Sequence, residues 1–197
     1  MVAGLSPLSH AAASKNAAQT RSILVVGDSL SAEYGIARGS GWVALLEQRL
    51  AKEKNPWKVV NASISGDTTA GGRSRIGNLL TQHQPAVVII ELGGNDALRG
   101  LPLQSTADNL RNMVQAAKAS GARVLLVGMQ IPPNYGQTYA RKFAEVFVEI
   151  SREQHIALLP FLLKGIADGA DATRLFQADR IHPQAQAHPR ILENVWP

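Results

Sequence analysis

Five short runs of branched apolar residues recur along the chain, and they limit the fold more than any other feature. They cover residues 22–26, 58–62, 86–92, 122–127 and 156–159. In most of these runs the apolar side chains are consecutive rather than alternating with polar ones. Consecutive apolar residues are typical of strands that are buried on both faces, so the sheet must be covered on both sides.

Stretches with helical spacing separate these runs. Apolar residues recur every three or four positions in residues 42–54, 106–120 and 139–154, and residues 69–82 show a weaker pattern. Residues 184–195 are expected to form a closing helix. Since helices alternate with strands, the sheet should be parallel. We therefore expect an α/β protein, a three-layer sandwich with about five parallel strands in a flavodoxin-like arrangement.

The composition excludes several classes of protein. There is no cysteine, so disulfides, thiolate metal sites and a cysteine nucleophile are all excluded. The 197 residues are enough for one domain with a sizeable core. The net charge of +5 comes from scattered basic residues without interleaved aromatics. We expect a solvated basic surface, no nucleic-acid partner, and a monomer rather than an oligomer.

Residues 1–21 differ from the rest of the chain. They are rich in Ala and Ser, lack periodicity and contain Ala11-Ala12-Ala13. An Ala-x-Ala pattern before a polar segment is typical of the end of a secretory signal peptide. We expect a disordered leader or signal-peptide remnant over 1–21, a single domain over 22–197, and a periplasmic or secreted location; a cytoplasmic location is the alternative. No apolar stretch could span a membrane, so no stable insertion is expected.

Polar segments follow the first three predicted strands directly. Residues 27–31, 63–69 and 93–96 are rich in Gly, Ser, Asn and Asp. Since the carboxyl ends of parallel strands meet at one edge of the sheet, these segments should converge there. One such segment is often only a turn or a helix cap. Three at one edge indicate a functional site.

A carboxylate and an imidazole near the end of the chain supply complementary chemistry. Asp179 and His182 can meet across one turn, with Asp179 accepting the Nδ1–H bond and Nε2 left free to take a proton. Pro183 disfavours helical backbone at His182, which favours a turn. With the hydroxyl of Ser29, these are the members of a hydrolytic triad. The Gly-x-Ser-x-Gly elbow is incomplete because Ser31 replaces its second glycine, which disfavours an α/β-hydrolase.

The chain resembles the GDSL, or SGNH, hydrolase family in four blocks that occur in the family's order. The blocks are Gly27-Asp28-Ser29-Leu30, the segment around Gly66, Gly93-Gly94-Asn95-Asp96 and Asp179-Arg180-Ile181-His182. The resemblance covers residues 23–196 and implies the SGNH hydrolase form of the sandwich. Segments 59–68 and 90–100 are similar to those of bacterial members described as acyl-CoA thioesterases, lysophospholipases and arylesterases. Arg180 stands where the family often has glycine.

The resemblance also implies a role for each residue. Ser29 would be the nucleophile, His182 the general base and acid, and Asp179 the residue that orients the imidazole. The Ser29 N–H, the Gly66 N–H and the Asn95 side-chain amide would form the oxyanion hole. The expected reaction is hydrolysis of carboxylic esters and thioesters through an acyl-enzyme, with no metal and no organic cofactor.

Apolar residues beside these blocks suggest a groove for an acyl chain. The candidates are Leu30, Leu98, Leu101, Ile131 and Pro132. The substrate should therefore be a small acyl ester or thioester of medium chain length. Asp28 is expected to brace neighbouring loops, Trp42, Phe143 and Phe147 to lie in the core, and His188 to lie on the closing helix without an obvious partner.

Three alternatives stay open. A carbohydrate O-deacetylase of the same family would use the same residues. A two-metal phosphoesterase would need more histidines near strand ends than His182 alone. A non-catalytic flavodoxin-like binding module would not depend on Ser29.

Overall fold

The computed structural model describes residues 21–53, 57–169 and 172–197. Apart from Arg21, the leader expected over residues 1–21 lies outside the described residues. No helix in the described part of the chain is long and apolar enough to cross a bilayer.

Five parallel strands form one sheet in the order β2-β1-β3-β4-β5. Their bounds are Ser22–Gly27 (β1), Lys58–Asn61 (β2), Val87–Glu91 (β3), Arg123–Val127 (β4) and Ala157–Leu159 (β5). All six residues of β1 are buried, as expected for a strand between two neighbours and beneath two helical layers. The predicted α/β fold with five parallel strands is confirmed.

Over residues 21–53, 57–169 and 172–197, six α-helices connect and cover the strands. They are Trp42–Lys52 (α1), Thr69–His83 (α2), Gly94–Leu98 (α3), Leu103–Ala119 (α4), Gln137–Gln154 (α5) and His188–Val195 (α6). The chain moves one way along the sheet from β1 to β2 and the other way in every later step. Because parallel crossovers are right-handed, α1 lies on the opposite face from α2, α4 and α5. The packing agrees, since α1 contacts α6 while α4 contacts both α2 and α5.

The direction in which the chain moves along the sheet reverses between β1 and β3, which are neighbours in the sheet. Gly27 pairs with Glu91 at the carboxyl ends of these two strands. In open α/β sheets the loops at such a reversal diverge to opposite faces and leave a crevice between them. The segments carrying Ser29 and Asn95 both begin at this crevice.

The core confirms the aromatic predictions. Trp42, Phe143 and Phe147 are at most 1% exposed, and the two phenylalanine rings meet edge to face with centroids 5.3 Å apart. Gly93, which lies between β3 and α3, has φ +117°, and a Cβ there would come within 3.2 Å of the Phe147 ring. Glycine at this position therefore lets the chain turn into α3 directly above the core.

Two elements differ from the sequence prediction. The closing helix expected over residues 184–195 is divided into a 3₁₀ turn at Ala185–Ala187 and α6. Pro189 lies in the first turn of α6, where its missing N–H is tolerated, so the regular helix starts at that point rather than earlier. The sequence prediction also did not include the short helix α3, which carries Asn95.

Candidate active site

Ser29 lies in the turn that follows β1, and the backbone there is held from several sides. The Asp28 carbonyl accepts hydrogen bonds from the N–H groups of Ser31 and Ala32. The Asp28 side chain accepts the Leu30 N–H at 3.0 Å. These bonds present the Ser29 side chain at the carboxyl edge of the sheet. Ser29 is only partly buried, as a nucleophile that must reach a substrate requires.

Gly27 makes this tight turn possible. A Cβ at Gly27 would lie 2.8 Å from the Glu91 Oε2 atom and 2.8 Å from the Ser31 hydroxyl. Both neighbours are buried, so neither side chain could swing aside into solvent. The first glycine of the Gly-Asp-Ser-Leu block is therefore required by packing.

His182 lies on a second turn, near the end of the chain. The turn is closed by a hydrogen bond from the Gln177 N–H to the His182 carbonyl at 2.8 Å. Asp179 accepts the N–H groups of Ile181 and His182 through one carboxylate oxygen, at 2.9 and 3.0 Å. The other oxygen lies 2.7 Å from His182 Nδ1. Asp179 thus holds both the backbone of the turn and the imidazole ring.

The two turns meet at a single hydrogen bond. His182 Nε2 lies 2.8 Å from Ser29 Oγ. Because Asp179 accepts the hydrogen on Nδ1, Nε2 carries the lone pair and accepts the Ser29 hydroxyl hydrogen. The structure therefore brings Ser29, His182 and Asp179 together in a continuous chain of hydrogen bonds.

The carboxyl of Asp179 is held in its charged form. Burial alone would raise its pKa, but the backbone N–H groups of His182 and Ile181 and the His182 side chain outweigh burial and lower the pKa to about 2. An anion beside Nδ1 stabilises an imidazolium whenever His182 takes a proton. The arrangement is therefore suited to general base catalysis.

Asn95 and the turn containing Gly66 lie together on the other side of Asp28. The Asn95 side-chain amide donates to Asp28 Oδ2 at 3.0 Å and to the Asp67 carbonyl at 2.9 Å. The Arg99 guanidinium donates to the Gly66 carbonyl at 3.0 Å. Gly66 has φ +79°, a conformation that glycine adopts readily. Since both Asn95 N–H groups already have acceptors, an oxyanion would have to share or replace one of them.

Asp28 connects these parts of the site, which agrees with the brace expected from sequence. Its carboxyl is 3% exposed and touches both Leu30 N–H and the Asn95 amide. Burial raises its pKa to about 6, against the lowering effects of the Leu30 N–H, the His182 charge and the Asn95 amide. The residue between Gly27 and Ser29 thus orients the amide of Asn95.

A buried hydrogen-bond network beneath the turn that carries Ser29 was not predicted from the sequence. Glu91 Oε2 accepts the Ser31 hydroxyl at 2.7 Å and the Asp28 N–H at 3.3 Å. Burial and the charge of Asp28 raise the pKa of Glu91 well above its usual range. The sequence signal for this network was Glu91, a charged residue near the end of the strongly apolar run 86–92.

The network continues to α6 and corrects the expectation for His188. Trp42 donates its indole N–H to Ser31 Oγ at 3.2 Å and its backbone N–H to His188 Nδ1 at 3.0 Å. His188 is 3% exposed and accepts the hydrogen bond of a free N–H at the start of α1. Burial lowers the pKa of His188, which favours the neutral ring that this bond requires. His188 therefore has a structural partner.

A cavity of about 370 Å³ opens beside the triad. Ser29, Asn95 and His182 lie at its polar end. Four of the predicted acyl-groove residues line it: Leu30, Leu98, Ile131 and Pro132. Leu101 does not line the cavity; its carbonyl accepts the Tyr139 hydroxyl at 3.0 Å instead. Residues that sequence reasoning did not assign to the site include Phe161, Leu163, Thr173 and Phe176.

Comparison with known families identifies the family to which the chain belongs. The sequence profile of the GDSL-like lipase/acylhydrolase family matches residues 25–190, most of the chain. The chain belongs to this family. The fold and the order of the four sequence blocks agree with that membership, and the family resemblance predicted from sequence is confirmed.

Individual GDSL family members are similar over nearly their whole length. The esterase TesA of Pseudomonas aeruginosa is 52% identical over 181 residues, which cover 92% of this chain and 88% of that protein. The thioesterase 1/protease 1/lysophospholipase L1 of Escherichia coli K12 is 41% identical over 177 residues, covering 90% and 82%. A crystal structure of TesA superposes with a TM-score of 0.86 at 51% identity, covering 90% of this chain and 97% of that one.

Proposed function

We propose that this chain hydrolyses small carboxylic esters and thioesters through a covalent acyl-enzyme on Ser29. The observation that carries the proposal is the hydrogen-bonded series Ser29–His182–Asp179, with 2.8 and 2.7 Å between its members. Serine is a weak nucleophile until a base accepts its proton, and this geometry supplies that base. The two relatives, an esterase and a thioesterase/lysophospholipase by name, support the substrate class.

The first half of the reaction forms the acyl-enzyme. Ser29 Oγ bonds to the carbonyl carbon of the substrate while its proton moves to His182 Nε2. Asp179 stabilises the imidazolium that results. The tetrahedral intermediate then collapses, the bond to the leaving oxygen or sulfur breaks, and His182 gives its proton to that atom. An alcohol or thiol departs.

The second half releases the acid. Water attacks the acyl carbonyl and transfers a proton to His182 Nε2, and collapse of the second intermediate returns that proton to Ser29 Oγ. In both halves negative charge develops on the carbonyl oxygen. The Ser29 N–H, the Gly66 N–H and the Asn95 amide would stabilise that charge, with the amide giving up one of its present acceptors.

Covalent labelling tests the proposal directly. A fluorophosphonate probe should modify Ser29, identified by peptide mass spectrometry, and the Ser29→Ala variant should lose both labelling and hydrolysis of p-nitrophenyl butyrate. Ser120→Ala is the matched control, because Ser120 lies at the end of α4 and its hydroxyl donates to the Ala117 carbonyl of the same helix. Full activity in Ser29→Ala, or labelling elsewhere, would overturn the proposal.

The apolar cavity supports a preference for medium-length acyl chains. Its walls include Leu30, Leu98 and Ile131 next to the reactive hydroxyl. Burial of each added methylene contributes up to about 0.8 kcal/mol, so kcat/KM should rise from acetyl to octanoyl p-nitrophenyl esters. A flat or falling series would contradict the acyl-groove assignment and favour an O-deacetylase.

We also propose that the protein is exported. The Ala11-Ala12-Ala13 pattern before a polar segment supports this location. When the chain is expressed in a bacterium, osmotic shock should release the protein from the periplasm. Retention of all activity in the cytoplasmic fraction would contradict export.

A further inference from the structure

The triad depends on two turns that are far apart in the sequence. The nucleophile turn, residues 28–36, follows β1, and the histidine turn, residues 176–183, precedes α6. Ser29 and His182 are 153 residues apart, yet their side chains must stay within hydrogen-bond distance. Among the described residues, one other hydrogen bond joins these two turns, and it comes from Gln177.

The Gln177 amide bridges the two turns. Its Nε2 group donates to the Tyr34 carbonyl at 2.9 Å and to the Pro183 carbonyl at 3.1 Å. Tyr34 belongs to the nucleophile turn, and Pro183 directly follows His182 in the histidine turn. Both hydrogens of the amide are used, one toward each turn, so the side chain acts as a short brace between them.

The backbone of Gln177 also holds the histidine turn. Its N–H donates to the His182 carbonyl at 2.8 Å, and its carbonyl accepts the Arg180 N–H at 2.9 Å. One residue therefore sets the shape of the turn that carries His182 and also fastens this turn to the loop after β1.

The nucleophile turn is shaped to receive this side chain. Gly35 has φ +70°, and a Cβ at this position would collide with the Gln177 amide. Glycine thus permits the close approach. The neighbouring Tyr34 ring lies over the imidazole of His182, with ring centroids 4.4 Å apart. The Gly35 backbone, the Gln177 amide and the Tyr34 ring therefore pack the two turns together beside the Ser29–His182 hydrogen bond.

The reaction itself shows why such a brace is needed. When Ser29 attacks, its hydroxyl hydrogen moves to His182, and the Ser29–His182 bond can no longer hold the two turns in the ground-state position. The imidazolium must then lie close to the leaving atom. The alignment has to come from contacts that survive the proton transfer.

We propose that Gln177 is a positioning residue that keeps His182 in line with Ser29 throughout the catalytic cycle. This inference rests on the proposed serine-hydrolase function. Gln177 does not line the cavity, so its loss should leave substrate binding intact and slow the chemical step. A misplacement near 1 Å at a reacting group lowers rates by up to about 100-fold, so we expect a loss in kcat of about 30-fold.

Gln177→Met tests this role, because methionine has a similar length and cannot donate a hydrogen bond. Gln177→Glu is a second variant of nearly the same shape, in which a carboxylate faces two carbonyl oxygens. The control is Gln186→Met, since Gln186 lies in the same region and its side chain donates to the Arg174 carbonyl and the Gln184 side chain. Rates are measured per active site, with the sites counted by fluorophosphonate titration.

The expected result is a fall of about 30-fold in both kcat and the rate of phosphonate labelling for the two Gln177 variants. KM should stay within about twofold, and the melting temperature should match that of the control to within about 3 °C. Unchanged rates per active site would overturn the inference, as would a loss that appears in KM alone. Wild-type protein that is not labelled at Ser29 would instead overturn the proposed function, so the two failures are distinguishable.

Discussion

The two turns that carry the residues of the proposed triad are built in different ways. The nucleophile turn is anchored in the core: Asp28, Ser31 and Glu91 are each at most 3% exposed and bond to one another. The histidine turn lies at the surface, with Asp179, Arg180 and Ile181 all exposed. Its shape comes from local hydrogen bonds and from Gln177. A substitution in the first turn should therefore affect folding and activity together, whereas one in the second should affect mainly activity.

Asp179→Asn should give the largest effect. It tests the expectation that a substitution in the histidine turn affects mainly activity. The amide would donate rather than accept at Nδ1, which places the hydrogen of His182 on the wrong nitrogen. We expect kcat to fall by roughly 10³–10⁴-fold, as in other serine hydrolases that lose this carboxylate. Steady-state hydrolysis of p-nitrophenyl butyrate measures the effect.

The stability of the same variant sharpens the test. Since the folded pKa of Asp179 is lowered, its ionised form contributes stability above the usual carboxyl pKa of 3.8, and this contribution disappears as the pH falls towards 2. At pH 7 the change should be modest because Asp179 lies at the surface. Asp108→Asn, another exposed carboxylate, is the control. A loss of activity explained by unfolding would contradict the comparison.

Glu91→Ala tests the expectation that a change at the anchored nucleophile turn affects folding and activity together. It would leave the Ser31 hydroxyl and the Asp28 N–H buried without their acceptor. Since each unsatisfied group costs about 1–3 kcal/mol, we expect the free energy of unfolding to fall by about 3 kcal/mol, with a simultaneous loss of activity. Urea denaturation followed by circular dichroism measures the change.

Glu91→Gln is the matched comparison for this site. Its amide oxygen can still accept both hydrogen bonds, and it carries no charge next to Asp28. Stability and activity should therefore lie closer to wild type than in Glu91→Ala. If the alanine variant kept wild-type stability, the description of an anchored nucleophile turn would be wrong.

Asp28→Asn should give a smaller effect that depends on pH. Because the folded pKa of Asp28 is raised to about 6, the folded protein holds this proton more tightly than the unfolded chain. Wild-type stability attributable to this group is present below the unfolded pKa of 3.8 and is lost as the pH rises through 6. The asparagine variant lacks this titration.

The measurement is the difference in unfolding free energy between the two proteins from pH 4 to pH 7. As the pH rises, the free energy of unfolding of Asp28→Asn should increase relative to that of wild type. The increase should be on the order of a few kcal/mol at most, as a pKa shift of this size predicts. A difference that does not change with pH would show that Asp28 ionises normally in the folded protein.

Arg180→Gly should give the smallest effect and raise stability. Arg180 has φ +59° within the histidine turn, a conformation that costs a residue with a Cβ about 1 kcal/mol and that glycine adopts freely. We expect a gain of at most about 1 kcal/mol in thermal unfolding, with kcat changed only a few-fold. Arg141→Gly, at an exposed position in the second turn of α5, should instead lose about 1 kcal/mol. Equal changes in both variants would contradict the strain at Arg180.

Much of the fold could be read from local patterns. The five strands were located to within one or two residues, since consecutive apolar residues and the intervening helical periods are local properties of the chain. The boundaries near proline were less accurate: α4 starts at Leu103, after Pro102, rather than at 106. Leu101, expected in the acyl groove, lies outside the cavity because its segment turns away to meet Tyr139.

The sequence by itself determined the order of strands and helices, the four family blocks and the identity of Ser29, His182 and Asp179, because each of these is written in neighbouring residues. Only the tertiary structure decided the contacts between distant segments. The bond from Trp42 to His188 joins residues 146 apart, and that from Gln177 to Tyr34 joins residues 143 apart. Such bonds depend on how the packed layers bring separate turns together in space. Patterns among neighbouring residues carry no information about contacts between segments so far apart in the sequence.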